Sequence, residues 1–266
     1  MKLSSPIYVL KSKAKALKKT EGITMAAALD RVATEEGCNS WSLLMSKTED
    51  LFPQKYSELL DFFNDGDLVV VGSRPGIGKT SFTIGLFVQA IERKRAKSFC
   101  FTLSETHKDI ARRIASYNQE IGHNEELFSL NYSNDICADY IISETEKYVS
   151  PGSVIIVDYL QLLDEKRENP SLQEQVLKLK TFSKKTGTII LFLSQIDREI
   201  EYRSDKRPTI EDLRLPNPLD LGLFNKGLFL YRESKDSKEV EVNMSGKTKC
   251  SFRVGWNSKE VSFFDL

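Results

Sequence analysis

One short segment constrains the fold of this 266-residue chain more than any other. The segment Gly72-Ser-Arg-Pro-Gly-Ile-Gly-Lys-Thr80 lies between the apolar run Leu68–Val71 and a helical stretch that begins near Thr80. Glycines let backbone N–H groups turn toward phosphate oxygens, and the N-terminus of the following helix adds its positive dipole. The order of strand, loop and helix therefore predicts a nucleoside triphosphate site in an α/β domain.

The chemistry of this loop predicts a role for each polar side chain. We expect Lys79 to reach the outer phosphates of ATP and the Thr80 hydroxyl to ligate Mg²⁺. The strict pattern has glycine at the position of Ser73, so the loop departs from it there. The residues expected to surround the nucleotide are Ser73, Arg74, Pro75, Gly76, Ile77, Gly78, Lys79, Thr80 and Ser81.

A carboxylate suited to the same metal follows a second apolar run. Val154–Val157 is followed directly by Asp158. Ligands of open α/β sheets collect where the strands end, so this position favours contact with the bound nucleotide. We predict that Asp158 holds Mg²⁺ together with Thr80, directly or through water.

The pattern of apolar residues changes near residue 50, which predicts two domains. Residues 1–50 show helical spacing of apolar side chains and predict a small all-helical domain. Residues 51–266 alternate short β-branched runs with helical stretches, which predicts an α/β core with a mostly parallel sheet. The tail over about 238–264 alternates apolar and polar residues and predicts antiparallel strands at one edge.

Three segments of the second domain resemble DnaB-type replicative helicases, and the similarity covers about residues 60–266. The segments are Asp67-Leu-Val-Val-Val-Gly-Ser-Arg-Pro-Gly-Ile-Gly-Lys-Thr-Ser-Phe82, Val157-Asp-Tyr-Leu-Gln-Leu-Leu163, and Leu193-Ser-Gln-Ile-Asp-Arg198 followed by Asp205-Lys-Arg-Pro-Thr-Ile-Glu-Asp-Leu-Arg214. The resemblance implies a RecA-like core that hydrolyses ATP with Mg²⁺, moves on single-stranded DNA and serves replication or related DNA metabolism. It also implies a homo-oligomeric ring, with a hexamer as one candidate size. By the same likeness Gln195 senses the γ-phosphate, and the loops after Leu163 and Gln195 face DNA.

The expected catalytic glutamate is displaced in this sequence. The family has Phe-Ser-Leu-Glu where this chain has Phe101-Thr-Leu-Ser104, and a glutamate follows one position later, at Glu105. A shift of one residue turns a strand side chain to the opposite face, so Glu105 can take over only if the strand ends or bulges at Ser104. With that condition, the predicted catalytic set is Lys79, Glu105, Asp158 and Gln195.

Two later segments depart from the family as well. After Arg214 the family's Glu-Ser-Gly is replaced by Leu215-Pro-Asn217. The Lys-x-Arg that would act on a neighbouring subunit's nucleotide is most similar to Lys247-Thr-Lys249. Lysine supplies charge but lacks the bidentate fork of arginine, so nucleotide binding is better supported than turnover.

The role of residues 1–50 stays open between two interpretations. Ala33, Gly37 and Leu43 have the spacing of a helix-turn-helix motif, but a plain helical bundle for docking fits the same pattern. Residues 1–20 contain six lysines and no acid. This basic face either contacts phosphate or is simply solvated.

Composition narrows the remaining function classes. The net charge is zero, which excludes a globally cationic nucleic-acid binder but leaves a local basic patch. Four scattered cysteines without a paired motif, and no long apolar run, favour a reducing cytoplasm over secretion or a membrane. Besides an ATPase motor, the sequence allows a nucleotide-binding regulatory or assembly protein that hydrolyses poorly. A recombinase or clock-type relative is disfavoured by the segments at Asp158 and Asp205.

Overall fold

The computed structural model describes residues 4, 7–49, 52–94, 96–124, 126–164, 166, 168–215, 217–246 and 250–266. They form two compact units that divide near Pro53. The segment Lys247-Thr-Lys249, considered above for the contact between subunits, lies outside the described residues, as does Pro216. No helix in the described ranges is long and apolar enough to cross a bilayer.

The first unit contains three helices. They are α1 (Ile7–Glu21), α2 (Met25–Glu35) and α3 (Trp41–Glu49). The Thr24 hydroxyl caps α2 by accepting from the Ala27 N–H at 3.2 Å. The buried side chains are Leu10, Ala14, Ala28, Val32, Ala33, Cys38 and Leu44. Leu43 stays 39% exposed while Leu44 is fully buried, so the α3 side chain that reaches this core is one position beyond the helix-turn-helix spacing.

The second unit alternates strands and helices. Its strands are β1 (Leu68–Ser73), β2 (Ser98–Thr102), β3 (Phe128–Asn131), β4 (Val154–Asp158), β5 (Ile189–Gln195), β6 (Lys226–Tyr231), β7 (Glu239–Gly246), β8 (Cys250–Asn257) and β9 (Ser262–Asp265). Its helices are α4 (Lys79–Lys94), α5 (His107–Tyr117), α6 (Gln119–Gly122), α7 (Ala138–Thr145) and α8 (Leu172–Thr186). Short 3₁₀ turns cover Tyr56–Phe62, Leu160–Asp164, Arg198–Tyr202, Ile210–Asp212 and Leu221–Leu223.

These strands form one sheet in the order β3-β2-β4-β5-β1-β6-β7-β8-β9. The pairs from β3 to β6 are parallel, whereas β6–β7 and β8–β9 are antiparallel. The predicted α/β class, with a mostly parallel sheet and antiparallel strands at one edge, is confirmed. Strand β3 was not predicted, because its alternating pattern extends over only four residues.

The order of the strands positions the functional edge of the sheet. Strand β1 lies between β5 and β6 and pairs in parallel with both, so the carboxyl ends of all three open on the same side. Their central residues are fully buried because helices cover both faces of the sheet. The loops that leave these strands therefore meet at one edge, where open α/β sheets bind ligands.

Candidate nucleotide site

The loop between β1 and α4 has the backbone geometry of a phosphate cradle. Gly76 and Gly78 have φ values of +78° and +105°, which side chains with a Cβ rarely adopt. These two positive φ values turn the backbone between Pro75 and Lys79 so that α4 begins at Lys79 with its first N–H groups free for a ligand. The predicted residues Ser73 to Ser81 thus form one continuous strand–loop–helix unit.

Three predicted side chains meet at the start of α4. Asp158, at the end of β4, is only 5% exposed, and its Oδ2 accepts a hydrogen bond from the Thr80 hydroxyl at 3.3 Å. Burial lowers the pKa of the Lys79 ammonium, and the nearby Asp158 charge partly opposes this shift. Burial also raises the pKa of Asp158, against the hydrogen bond from Ser104 and the charge of Lys79. The Lys79 ammonium and the Asp158 carboxylate are therefore both partly stripped of water.

This donor set fits a magnesium ion. Mg²⁺ prefers oxygen ligands and is commonly held by one or two carboxylates together with substrate phosphates. Thr80 Oγ1 and Asp158 Oδ2 supply two such oxygens 3.3 Å apart. No cluster of three or more His, Cys, Asp or Glu side chains suited to a metal occurs among the described residues, so an all-protein cage is not formed there.

Serine occupies the position where the resemblance leads one to expect glutamate. Strand β2 ends at Thr102, two residues before Ser104. The Ser104 hydroxyl donates to Asp158 Oδ2 at 3.0 Å and lies 3.0 Å from the Thr102 hydroxyl. Ser104 thereby helps to hold the Asp158 carboxylate in place. A hydroxyl is a much weaker base than a carboxylate, so Ser104 is no replacement for a general base.

Glu105 follows Ser104 but points to a different set of partners. Its carboxylate pairs with Arg113 of α5, and Arg113 in turn donates to the Ser81 hydroxyl at 2.5 Å. Because β2 has already ended, the alternation of a strand no longer fixes the direction of Glu105. The assignment of Glu105 as the catalytic carboxylate stays a prediction.

Gln195 stands at the end of β5, directly beside the phosphate loop. Its Cα partner across the sheet is Ser73, the last residue of β1. The Gln195 carbonyl accepts from the Arg214 N–H at 2.9 Å, which ties the end of β5 to the segment that follows it. The Arg74 guanidinium donates to Glu201 at 2.8 Å and to the Ile196 carbonyl at 3.2 Å. The loop after β5 is therefore bound directly to the phosphate loop.

Sequence reasoning missed three side chains that border the phosphate loop. Arg232, just after β6, donates to the Gly76 carbonyl at 3.1 Å, and its Nε is buried without a partner. A Cβ at Gly78 would lie 3.3 Å from the Trp256 ring and 3.1 Å from the Phe263 ring. Arg232 could have been found from the rule that ligands bind at strand ends, because it directly follows β6. No sequence pattern near Trp256 indicates a contact with the phosphate loop.

Comparison with known proteins identifies the family. The model of the DnaB-like helicase C-terminal domain matches residues 54–136 and 139–249. The chain belongs to this family. The resemblance read from the three motifs is therefore confirmed, and the matched range covers most of the second unit.

Individual relatives agree with this assignment. A replicative DNA helicase DnaB of Mycoplasma genitalium is 28% identical over 221 residues, which cover 70% of this chain and 47% of that protein. The chain spans about half the length of the curated relatives it matches.

Two of the solved structures that share the fold cover most of this chain. One, an ATPase domain, has a TM-score of 0.65 at 20% identity, covering 85% of this chain and 98% of that one. A DnaB-like replicative helicase, described with its interactions with primase, has a TM-score of 0.67 at 19% identity, covering 96% of this chain and 75% of that one. At this level of identity both support the RecA-like fold alone.

Proposed function

We propose that this chain binds ATP with Mg²⁺ and hydrolyses it as the motor domain of a DNA helicase that serves replication. The observation that carries the proposal is the meeting of Lys79, Thr80 and Asp158 at the phosphate loop of a DnaB-family chain. Relatives named as replicative DNA helicases support the same conclusion.

Each site residue has a role that follows from its chemistry. Lys79 offsets the charge of the outer phosphates, and the free N–H groups of α4 bind phosphate oxygens. Thr80 and Asp158 hold Mg²⁺, which neutralises phosphate charge when bound. Gln195 stands beside Ser73, where a polar amide can contact the γ-phosphate. The Arg232 guanidinium and the half-buried Trp256 ring flank the loop and suit the base or ribose of the nucleotide.

The same chain is proposed to act on single-stranded DNA as a homo-oligomeric ring in the cytoplasm. Arg74 contacts Glu201 and the Ile196 carbonyl, and so joins the phosphate loop to the loop that is expected to face single-stranded DNA. These contacts support a coupling between nucleotide binding and DNA binding. A change at the γ-phosphate can then move that loop through Gln195 and Arg74.

A second candidate is a nucleotide-binding regulatory or assembly protein with little turnover. Ser104 in the position of the family's glutamate favours it, since its hydroxyl is engaged by Asp158. General-base assistance is commonly worth about 10²- to 10⁴-fold in rate, so its loss would be plain in kinetics.

Phosphate release with and without single-stranded DNA separates the two candidates. We expect DNA to stimulate release by the parent protein and Lys79→Ala to abolish it. Tight Mg²⁺-dependent ATP binding without DNA-stimulated release would favour the regulatory candidate instead. Native mass spectrometry with and without Mg²⁺ and ATP then reports whether the chain forms rings.

A further inference from the structure

Arg113 brings a guanidinium to the phosphate loop, and it is held by two partners at once. Its Nε and Nη2 donate to the two carboxylate oxygens of Glu105, each at 2.6 Å. Its Nη1 donates to Ser81 Oγ at 2.5 Å. The Arg113 and Glu105 side chains are 17% and 19% exposed, so the pair is largely shielded from water.

The position of Arg113 is electrostatically unfavourable without an anion. Ser81 belongs to the first turn of α4, where unpaired N–H groups make the helix end positive. Lys79, on the same turn, adds another cation. The Glu105 carboxylate supplies the anion that offsets Arg113. In a bound nucleotide, the phosphates would supply the same kind of charge at the same helix end.

Comparison with Arg112 shows how the Arg113–Glu105 pair differs from an ordinary surface ion pair. Arg112 is 70% exposed, and its contact with Asp109 is 3.9 Å long. That pair stays within one helix turn and contributes little to stability. Arg113 instead reaches from α5 to the first turn of the nucleotide helix. Arg113 therefore links the Glu105 carboxylate to the helix end where the phosphates of a nucleotide would bind.

We propose that Arg113 is a positioning residue that exchanges Glu105 for the phosphates of the bound nucleotide. The exchange frees the Glu105 carboxylate to accept a hydrogen bond from water only when nucleotide is present. This inference rests on the nucleotide binding proposed above. It has a distinctive consequence: Glu105 competes with the nucleotide for Arg113, so removing the Glu105 charge strengthens binding.

Calorimetric titration of the full chain with Mg²⁺ and ADP tests the exchange without depending on turnover. We expect Glu105→Gln to tighten binding by about fivefold, because Arg113 no longer needs to leave an ion pair. Arg113→Ala should weaken binding by about tenfold or more, as expected for a lost charged hydrogen bond. Arg113→Lys should fall between Arg113→Ala and the parent, since lysine keeps the charge but not the fork. The matched control, Arg112→Ala, should bind as the parent does.

The double variant gives the decisive comparison. With Arg113→Ala in place, the additional Glu105→Gln change should no longer tighten binding, because there is no guanidinium left to release. A structural pair predicts the opposite pattern, in which both single changes weaken binding through loss of fold stability. Weaker or unchanged binding by folded Glu105→Gln, or equal tightening in the Arg113→Ala background, would overturn the exchange.

The test separates failure of the exchange from failure of the proposed function. Lys79→Ala, titrated in the same series, reports on the nucleotide site itself. If the parent binds ADP and Lys79→Ala does not, the site stands and the Glu105 and Arg113 variants decide the exchange. If the parent binds no nucleotide, the proposed function fails and the exchange fails with it.

Discussion

Replacing Lys79 by alanine should remove most of the affinity for ATP while leaving the fold intact. Lys79 is partly buried at the start of α4, beside Asp158. An ammonium that contacts two phosphates makes two charged hydrogen bonds, worth about 1.5 kcal/mol each at the low end. Their loss corresponds to about 3 kcal/mol, or roughly a hundredfold in dissociation constant.

A thermal shift assay makes this loss visible. At an ATP concentration about 100 times the parent's dissociation constant, binding stabilises the fold by about 2.7 kcal/mol. For a domain of this size that raises Tm by roughly 5–10 °C. The same concentration is about equal to the variant's dissociation constant, so its stabilisation falls to about 0.4 kcal/mol and its shift to roughly 1 °C.

The variant measured without ATP serves as the control. Burial lowers the pKa of Lys79, so removing a poorly hydrated charge offsets part of the lost packing, and Tm without ATP should stay close to the parent value. A variant that is folded and still shows the full parental shift with ATP would refute the assignment of Lys79.

Three further predictions concern the loop, the metal ligand and the basic helix. In urea titrations, Gly78→Ala should lower the free energy of unfolding more than Gly76→Ala does. A Cβ at Gly78 would lie 3.1 Å from the Phe263 ring, whereas a Cβ at Gly76 meets no atom within 4 Å. Equal losses in the two variants would contradict this prediction. Burial raises the pKa of Asp158, so the charged form costs stability at neutral pH; Asp158→Asn should raise Tm without nucleotide and remove the Mg²⁺ dependence of ATP binding in calorimetry. If α1 contacts DNA phosphates, neutralising three of its lysines should lower the slope of log affinity against log salt by about 0.7 each, and an unchanged slope would favour the docking interpretation.

The position of the phosphate loop could be predicted from a short local pattern, in which glycines separate an apolar run from a helix. Gly76 and Gly78 follow an apolar run, and the structure places them in the loop between β1 and α4, with Lys79 and Thr80 as the first residues of α4. The position of Asp158 could be predicted from the apolar run before it, because the carboxyl ends of parallel strands share one edge of the sheet. In both cases the relevant information lies within a short stretch around the functional side chain.

The surroundings of the site depend on contacts that no local pattern contains. Trp256 and Phe263 reach Gly78 only because the antiparallel edge folds back toward α4. The partner of Glu105 depends on how α5 leaves the end of β2, and a charge pattern alone leaves Arg112 and Arg113 equally eligible. In the first unit, tertiary packing buries Leu44 and leaves Leu43 39% exposed, which residue spacing alone does not decide.

The packing of the Trp256 and Phe263 rings beside Gly78 affects when the phosphate loop can form during synthesis of the chain. Phe263 packs edge-on against Phe82 at 5.3 Å, and its N–H donates to the Tyr117 hydroxyl, which itself donates to the Ser81 carbonyl. The loop is synthesised well before Trp256 and Phe263, the two side chains that pack against it. A nascent chain that has completed β1 and α4 therefore lacks this support. Competence to hold a nucleotide should arise only after β9 has left the ribosome, in a late and cooperative step rather than gradually during elongation.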